Sequence, residues 1–493
     1  MIHLQSGGVF EEIAASTIGL RTSYPIQDAA VVLDALPEHL IPPQFDGEST
    51  TLPLTYLDSA ASTKMIGPVA DTQRRILEHY ANSHSVTHGP ARIATHYYDE
   101  SHEVVRRFVN APETHTAVFV GSGATGAVNR LARTLFSSGS RDSRDTVIFS
   151  GMEHHANQLP WQKHARRTVG IPVDPDTGTL PLDRFAETLK KNRNRTRLVA
   201  VTGVSNVTGI INDIREIARM AHEIGAQILV DAAQTAAHRK IDMQADGVDY
   251  LVLSGHKVYA PSSPGVLVMP KSASPHVPDE VGGGIVLSVD LDRYLLSDRL
   301  PAREEAGTPN IVGSILLASA IKTLEGIGMD RVWEHERRLT AQLVEGLSVF
   351  EEIKIYGDTD LSRTPRAGVV SFSVADLHHA VVAQALSDYF SIAVRNECFC
   401  AHPYVKALTK MTPNQIEDFE LSLQMGDRRD MPGMVRASLG VYTLPEDVER
   451  LHAAIDWVTQ NLDRLRGEYE VDYEGVAVRR DGWRIDPRGF GIF

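Results

Sequence analysis

From Thr55 onward the chain alternates short apolar runs with stretches of helical period. The runs at 116–120, 145–150, 198–204, 227–231, 250–254 and 265–269 are rich in Val, Ile and Leu with few polar interruptions, the pattern of strands buried on both faces. Between two of them, Ile214, Ile217, Ala218, Ala221 and Ile224 fall at i, i+3, i+4, i+7 and i+10, one apolar stripe of a helix over 214–224. Strands alternating with helices predict an α/β fold on a large, mainly parallel sheet. After about Asn310 the rhythm changes. Helical patterns at 313–325 and 332–350, then strand candidates at 368–374 and 391–395, predict a smaller α+β C-terminal domain. The pattern divides the chain into an N-terminal extension (1–54), a large domain (55–310), a small domain (311–467) and a tail (468–493). The extension holds a short helix and punctuation at Pro37, Pro42 and Pro43. A helix-and-loop insertion at 404–430 interrupts the small domain, and the tail reads as irregular, with Arg479, Arg480, Arg484 and Arg488 among acidic residues.

Composition then removes whole classes of function. The 493 residues allow roughly two to four domains with a substantial core. Lys and Arg number 49 against 63 Asp and Glu, a formal net charge of −14, which argues against nucleic acid or an anionic membrane as partner. The basic run at 190–197 reads as a solvated loop before a strand. No apolar run approaches the ~18 residues of a spanning helix, and Glu11 and Glu12 stand where a signal peptide is apolar. Cys398 and Cys400 are the only cysteines. They cannot build a disulfide framework and supply half of a four-ligand zinc site, so no metal is expected. Scarce thiols fit a reducing, cytoplasmic setting.

The chemistry sits where strands end. The run Ile228-Leu-Val-Asp231-Ala-Ala-Gln234 closes on an acid, and Leu251-Val-Leu-Ser254-Gly-His256-Lys257 closes on a lysine. Carboxyl ends of strands in an open α/β sheet line one crevice, so Asp231 and Lys257 can face one ligand. A lysine that forms a Schiff base and a carboxylate that keeps a pyridine nitrogen protonated suit pyridoxal phosphate. Gly121-Ser-Gly-Ala124-Thr125-Gly126 follows a strand and precedes a helical stretch at 127–135, a turn able to offer N–H groups to a phosphate. No acidic ribose partner follows it, which disfavours a dinucleotide site. His154, in Met152-Glu-His-His-Ala-Asn157, can stack flat on a pyridine ring.

In this order the motifs resemble the class V aminotransferase group of fold type I pyridoxal-phosphate enzymes, and within it the SufS/CsdA-like cysteine desulfurases and selenocysteine lyases. The matching stretches also include Tyr56-Leu-Asp-Ser-Ala-Ala61, Val204-Ser-Asn206-Val-Thr-Gly209, Gly282-Gly-Gly284 and Glu305-Ala-Gly-Thr308-Pro-Asn310. Arg395-Asn-Glu-Cys-Phe-Cys400-Ala and Arg436-Ala-Ser-Leu439 complete the set, which runs from about residue 55 to 460. The resemblance implies that Lys257 carries the cofactor and that Asp231 meets its pyridine nitrogen. It implies that Gln234 bonds the phenolic oxygen, that His154 stacks, and that Ala124, Thr125, Ser254 and His256 bind the phosphate. It also implies that Thr308 reaches a partner subunit's phosphate in a homodimer, that Asn206 lies by substrate and cofactor, and that Arg436 clamps the substrate carboxylate with Arg395 nearby. Cys400 takes the place of the persulfide-forming cysteine, so the implied activity is conversion of L-cysteine to L-alanine with sulfur passing to Cys400, and on to an acceptor protein.

Departures from the group stand at His84-Ser85 (in place of a histidine–arginine pair), Glu397 (for glycine), Phe399 (for histidine) and the insertion. They leave open another class V reaction with Cys400 not catalytic: transamination, C–S or selenocysteine lysis, or epimerisation. A non-catalytic sulfur-handling member is a third reading. Cys398 reads as a packed residue.

Overall fold

The computed structural model describes residues 38–41, 50–136 and 142–485; the short helix expected in the extension and Arg488 lie outside them. Strands β1 (Glu38–Ile41) and β2 (Thr50–Pro53) pair antiparallel, and β3 (Thr55–Tyr56) follows. The large sheet is made of β4 (His115–Val120), β5 (Thr146–Ser150), β6 (Arg167–Ile171), β7 (Thr196–Thr202), β8 (Gln227–Asp231), β9 (Tyr250–Ser254) and β10 (Gly265–Pro270). Their order is β4-β10-β9-β8-β7-β5-β6. All neighbours from β9 to β6 are parallel, while β10 is antiparallel to both β4 and β9. The reversal has a simple cause: residues 255–264 alone join β9 to β10, too few for the crossover of about a dozen residues or more that parallel strands need. Consequently β4 runs with β5–β9, and the carboxyl ends of all these strands lie at one edge.

The apolar runs become strands with ends moved by a residue or two. The sequence pattern misses β6 because it is an edge strand with only Ile171 buried, so it carries no continuous apolar run. The expected helix over 214–224 is Ile214–Glu223, started by Asp213, whose side chain accepts the Glu216 N–H at 3.1 Å. It buries Ile217, Ala218 and Ala221 and stops at Gly225, whose φ of +72° only glycine adopts cheaply.

Beyond the large sheet, β11 (Val286–Val289) and β12 (Tyr294–Leu296) form an exposed antiparallel pair. The helices Ile311–Ile327 and Met329–Leu347 follow. Next come β13 (Ile353–Ile355), β14 (Val369–Val374), β15 (Ile392–Ala393), β16 (Arg395–Glu397) and β17 (Met434–Ser438). Four of them form an antiparallel sheet in the order β13-β14-β17-β16, whereas β15 pairs parallel with β3. The single strand expected at 391–395 is therefore two, each serving a different partner. The insertion forms helices His402–Leu408 and Pro413–Gln424. The tail is more regular than expected: β18 (Tyr469–Val471) pairs with β19 (Ala477–Arg479). These strands are too short to show an alternation, and charge pairing holds their end, with Arg480 on Glu470 at 2.6 Å.

One hydrophobic cluster lies on the large sheet and takes in Ile311–Ile327, Tyr404, Val405 and Phe419; a second, around Leu343, Phe372 and Val435, fills the small sheet. Among the described residues no single helix is long and apolar enough to cross a membrane. The basic run's Arg195 pairs with Asp145 at 2.8 Å.

Candidate active site

The carboxyl-end edge of the large sheet faces the β16–β17 edge of the small one across a cavity of about 790 Å³. Lys257, Asp231, His154, Gln234, Ser254, His256, Asn206, Ala124, Thr125, Arg395, Arg436 and Cys400 all line it. Thr308 does not. It is exposed on the rim of a neighbouring 600 Å³ cavity, where Asn82 Nδ2 donates to its hydroxyl at 3.4 Å.

Lys257 ends the 3₁₀ turn after β9, and Asp231 ends β8, the adjacent strand. Burial, reinforced by Arg436, brings the Lys257 ammonium down to about 8 against the pull of Asp231, Cys400 and Asp58. Burial raises the Asp231 carboxyl, while the Ala233 N–H, donated at 2.9 Å to Oδ1, and Lys257 oppose the rise. A buried carboxylate with this much spare accepting capacity fits the N–H of a pyridinium ring. Gln234 is held by donation from Nε2 to the Ala60 carbonyl at 2.8 Å. His154 Nδ1 accepts the Ala156 N–H at 3.0 Å, so its proton sits on Nε2. Burial and the nearby Lys257 push this imidazole down to about 3, leaving it an uncharged plane.

At the phosphate end, the helix Gly123–Phe136 starts earlier than the sequence suggested, inside the glycine-rich turn, and so points its N-terminus at the cavity. Ser254 Oγ accepts the Ala124 N–H at 2.8 Å, leaving its own proton to donate to a phosphate. His256 Nδ1 lies 3.2 Å from Ser62 Oγ. The cradle needs a glycine: at φ +58°, a Cβ on Gly123 would fall 2.8 Å from Ser254 Oγ. Gly123→Ala is expected to cost about 1–2 kcal/mol of stability from the left-handed backbone. It should also weaken cofactor binding; urea unfolding and cofactor titration check both effects.

On the opposite wall, Arg395 and Arg436 are direct cross-strand partners on β16 and β17. Like charges in that position repel, and the site answers with one carboxylate and a backbone carbonyl. Arg436 donates from Nη2 to Asp58 Oδ1 at 3.1 Å and from Nη1 to the Asn206 carbonyl at 2.9 Å, and stacks 4.6 Å over the Phe399 ring. Its buried Nε has no partner, so part of its five-donor fork remains for a carboxylate. Asn206 Nδ2 donates to the Phe399 carbonyl at 2.8 Å.

Cys400 is exposed and Cys398 buried, both as free thiols. Cys398 Sγ donates to the Pro432 carbonyl at 2.8 Å and is pushed up to about 12 by burial, which makes it a packed, unreactive residue, as expected. Several participants went unassigned in the sequence: Asp58, Phe399, His155 and Glu153. Asp58 ends a strand-like run just as Asp231 does, a usable signal. Glu153 is fully buried and accepts from Asn157 Nδ2 at 2.6 Å and Thr202 N at 3.0 Å, while burial lifts it to about 8. Nothing in its flanking residues announces that role. Among the described residues no group of three or more His, Cys, Asp or Glu is placed to hold a metal ion.

Comparison with known proteins gives this geometry a context. The aminotransferase class-V family model matches residues 55–451. A curated cysteine desulfurase of Escherichia coli O127:H6 is 34% identical over 431 residues, covering 86% of this chain and 97% of that protein. The apo structure of a cysteine desulfurase from Thermococcus onnurineus superposes with a TM-score of 0.71 at 33% identity, over 82% of this chain and 94% of the other. The Escherichia coli cysteine desulfurase CsdA, in an S-sulfonic acid form, gives 0.69 at 25% identity over 90% and 98%.

Proposed function

Since this chain belongs to the aminotransferase class-V family, we propose that it is a pyridoxal 5′-phosphate-dependent cysteine desulfurase, moving sulfur from L-cysteine to Cys400 and releasing L-alanine. The observation that carries this reading is the exposed Cys400 thiol on the wall of the same cavity as Lys257, Asp231 and Arg436. Its relatives named cysteine desulfurase, matched over most of both chains, support it.

Pyridoxal phosphate, when bound, supplies an electron sink for the carbanion at the substrate α-carbon. Lys257 would carry it, Asp231 would accept from its ring N–H and His154 would offer it a neutral plane, while Ser254, His256, Ala124 and Thr125 would hold its phosphate. The uncommitted donors of Arg436, with Arg395 beside it, bind the substrate carboxylate and so aim the Cα–H bond. Asn206 holds the Phe399 carbonyl and so keeps that ring under Arg436. Lys257 Nζ, a free amine for a useful fraction of the time near neutral pH, takes the α-proton. Cys400 Sγ, as thiolate, attacks the substrate sulfur. The Sγ–S bond forms, the substrate Cβ–S bond breaks with its electron pair passing to carbon, Cβ is protonated, and Lys257 returns the α-proton to Cα to complete L-alanine. Atoms balance: one cysteine and one thiol become one alanine and one persulfide.

The test is incubation of the holoenzyme with L-cysteine, followed by mass analysis of Cys400 and assay of alanine. Cys400→Ser is expected to keep the cofactor absorption band, to gain no sulfur, and to form alanine at least about 100-fold more slowly. Unchanged turnover of an amino acid by that variant would overturn the reading and leave a different class V reaction.

A homodimer belongs to the same proposal. The β11–β12 pair exposes Leu287, Tyr294 and Leu295, each more than half accessible, and Thr308 faces outward, as expected of surfaces that a second copy covers. A sulfur-accepting protein completes the cycle by emptying Cys400. Sedimentation of the holoenzyme as a monomer would remove the dimer.

A further inference from the structure

The loop that presents Cys400 is held in an unfavourable backbone. Glu397, Phe399 and Cys400 all have positive φ (+88°, +50° and +54°) without being glycine, and such conformations persist only where the surroundings over-determine them. One residue grips the chain at the cysteine and two positions after it. The His155 N–H donates to the Cys400 carbonyl at 2.7 Å, and His155 Nε2 accepts the His402 N–H at 3.3 Å. The two imidazoles meet edge to face, with centroids 4.7 Å apart. His155 follows His154 directly and opens the 3₁₀ turn His155–Asn157. The turn behind the cofactor-face histidine is therefore the same one that anchors the thiol loop, which comes from the small sheet.

The geometry points to His155 as a positioning residue that fixes the Cys400 thiol for sulfur transfer, an inference that rests on the desulfurase reading above. The role needs an uncharged ring acceptor. Nε2 accepts only when the ring proton is on Nδ1 and the imidazole is neutral. Burial, with His402 alongside, keeps it so by pushing the group down to about 4. Lysine or arginine offers no acceptor, and alanine or phenylalanine leaves the His402 N–H without its partner. Glutamine can present a carbonyl oxygen near the place of Nε2.

The test uses the holoenzymes of His155→Ala, His155→Phe and His155→Gln. Single-turnover reaction with L-cysteine gives the rate at which sulfur appears on Cys400. The cofactor absorption band and the binding of L-alanine report on the remainder of the site. Hydrogen exchange of the 397–403 backbone reports on the loop itself. Expected for H155A and H155F are an unchanged band and alanine binding, faster exchange at 397–403, and persulfide formation slowed roughly 10- to 100-fold, with H155Q restoring most of the rate. Wild-type rates in H155A and H155F would overturn the inference. So would equal slowing in H155Q and H155F, or loss of the band and alanine binding in step with the rate, since each leaves His155 a general structural role. If the wild-type enzyme itself puts no sulfur on Cys400, the desulfurase reading fails instead, and the two failures are told apart.

Discussion

Lys257→Ala is expected to abolish the cofactor absorption band and to lower alanine formation at least about 10⁴-fold, because one amine serves as both cofactor anchor and general base. A second effect runs the other way. The Lys257 ammonium has a pKa of about 8 in the fold against an ordinary value of 10.5. Between those values the unfolded chain binds the proton that the native protein lacks, so native stability rises with pH across that window and the full penalty is present below about 8. Removing the amine should therefore stabilise the cofactor-free protein on the order of 3 kcal/mol at neutral pH. Thermal unfolding of the apo forms at pH 7 and pH 10 checks it: the gain should be clear at pH 7 and shrink towards pH 10. In the working enzyme the same depressed value predicts an acid limb, with turnover falling as pH drops below about 8. His154, already neutral, adds no limb between pH 5 and 8. A variant that keeps its band and its activity would remove Lys257 from the centre of the site.

Arg436→Ala should carry the second largest effect, and on two separate readouts. The KM for L-cysteine should rise by about 100-fold or more through loss of a charge-assisted, forked contact to the carboxylate. Stability should fall by about 1–3 kcal/mol, because Asp58 and the Asn206 carbonyl lose their hydrogen-bonding partner. Asp58→Asn in the Arg436→Ala background separates the two. It should recover part of the stability by removing the unpaired carboxylate, and leave KM high. Urea unfolding and steady-state kinetics provide the measurements. A KM close to wild type in Arg436→Ala would transfer carboxylate recognition to Arg395 alone.

The parts of this protein legible along the chain are those whose cause is local. The central strands β7, β8 and β9 are continuous apolar runs because both their faces are covered, and each announces itself within a few residues. Asp231 and Lys257 are polar residues at the ends of such runs, so the direction of the sheet alone brings them to one edge. Edge strand β6, the break of the 391–395 strand into β15 and β16, short strands β18 and β19, and the exact start of the helix at Gly123 escaped, because partners distant in sequence decide them.

The site divides in the same way. Residue types and strand ends along the chain determined which groups could act: the lysine, the acid, the glycine-rich turn, the arginines and the cysteine. Only the tertiary structure decided how they act. It set Arg395 against Arg436 through the register of β16 and β17 and brought Asp58, just after β3, to pair with Arg436. It turned Cys398 inward and Cys400 outward although they are two positions apart, and it tied the Cys400 loop to His155, far away in the sequence. The physical reason is that burial and long-range hydrogen bonds set pKa and orientation. Both depend on what the fold brings alongside a residue, which its neighbours in the chain do not specify.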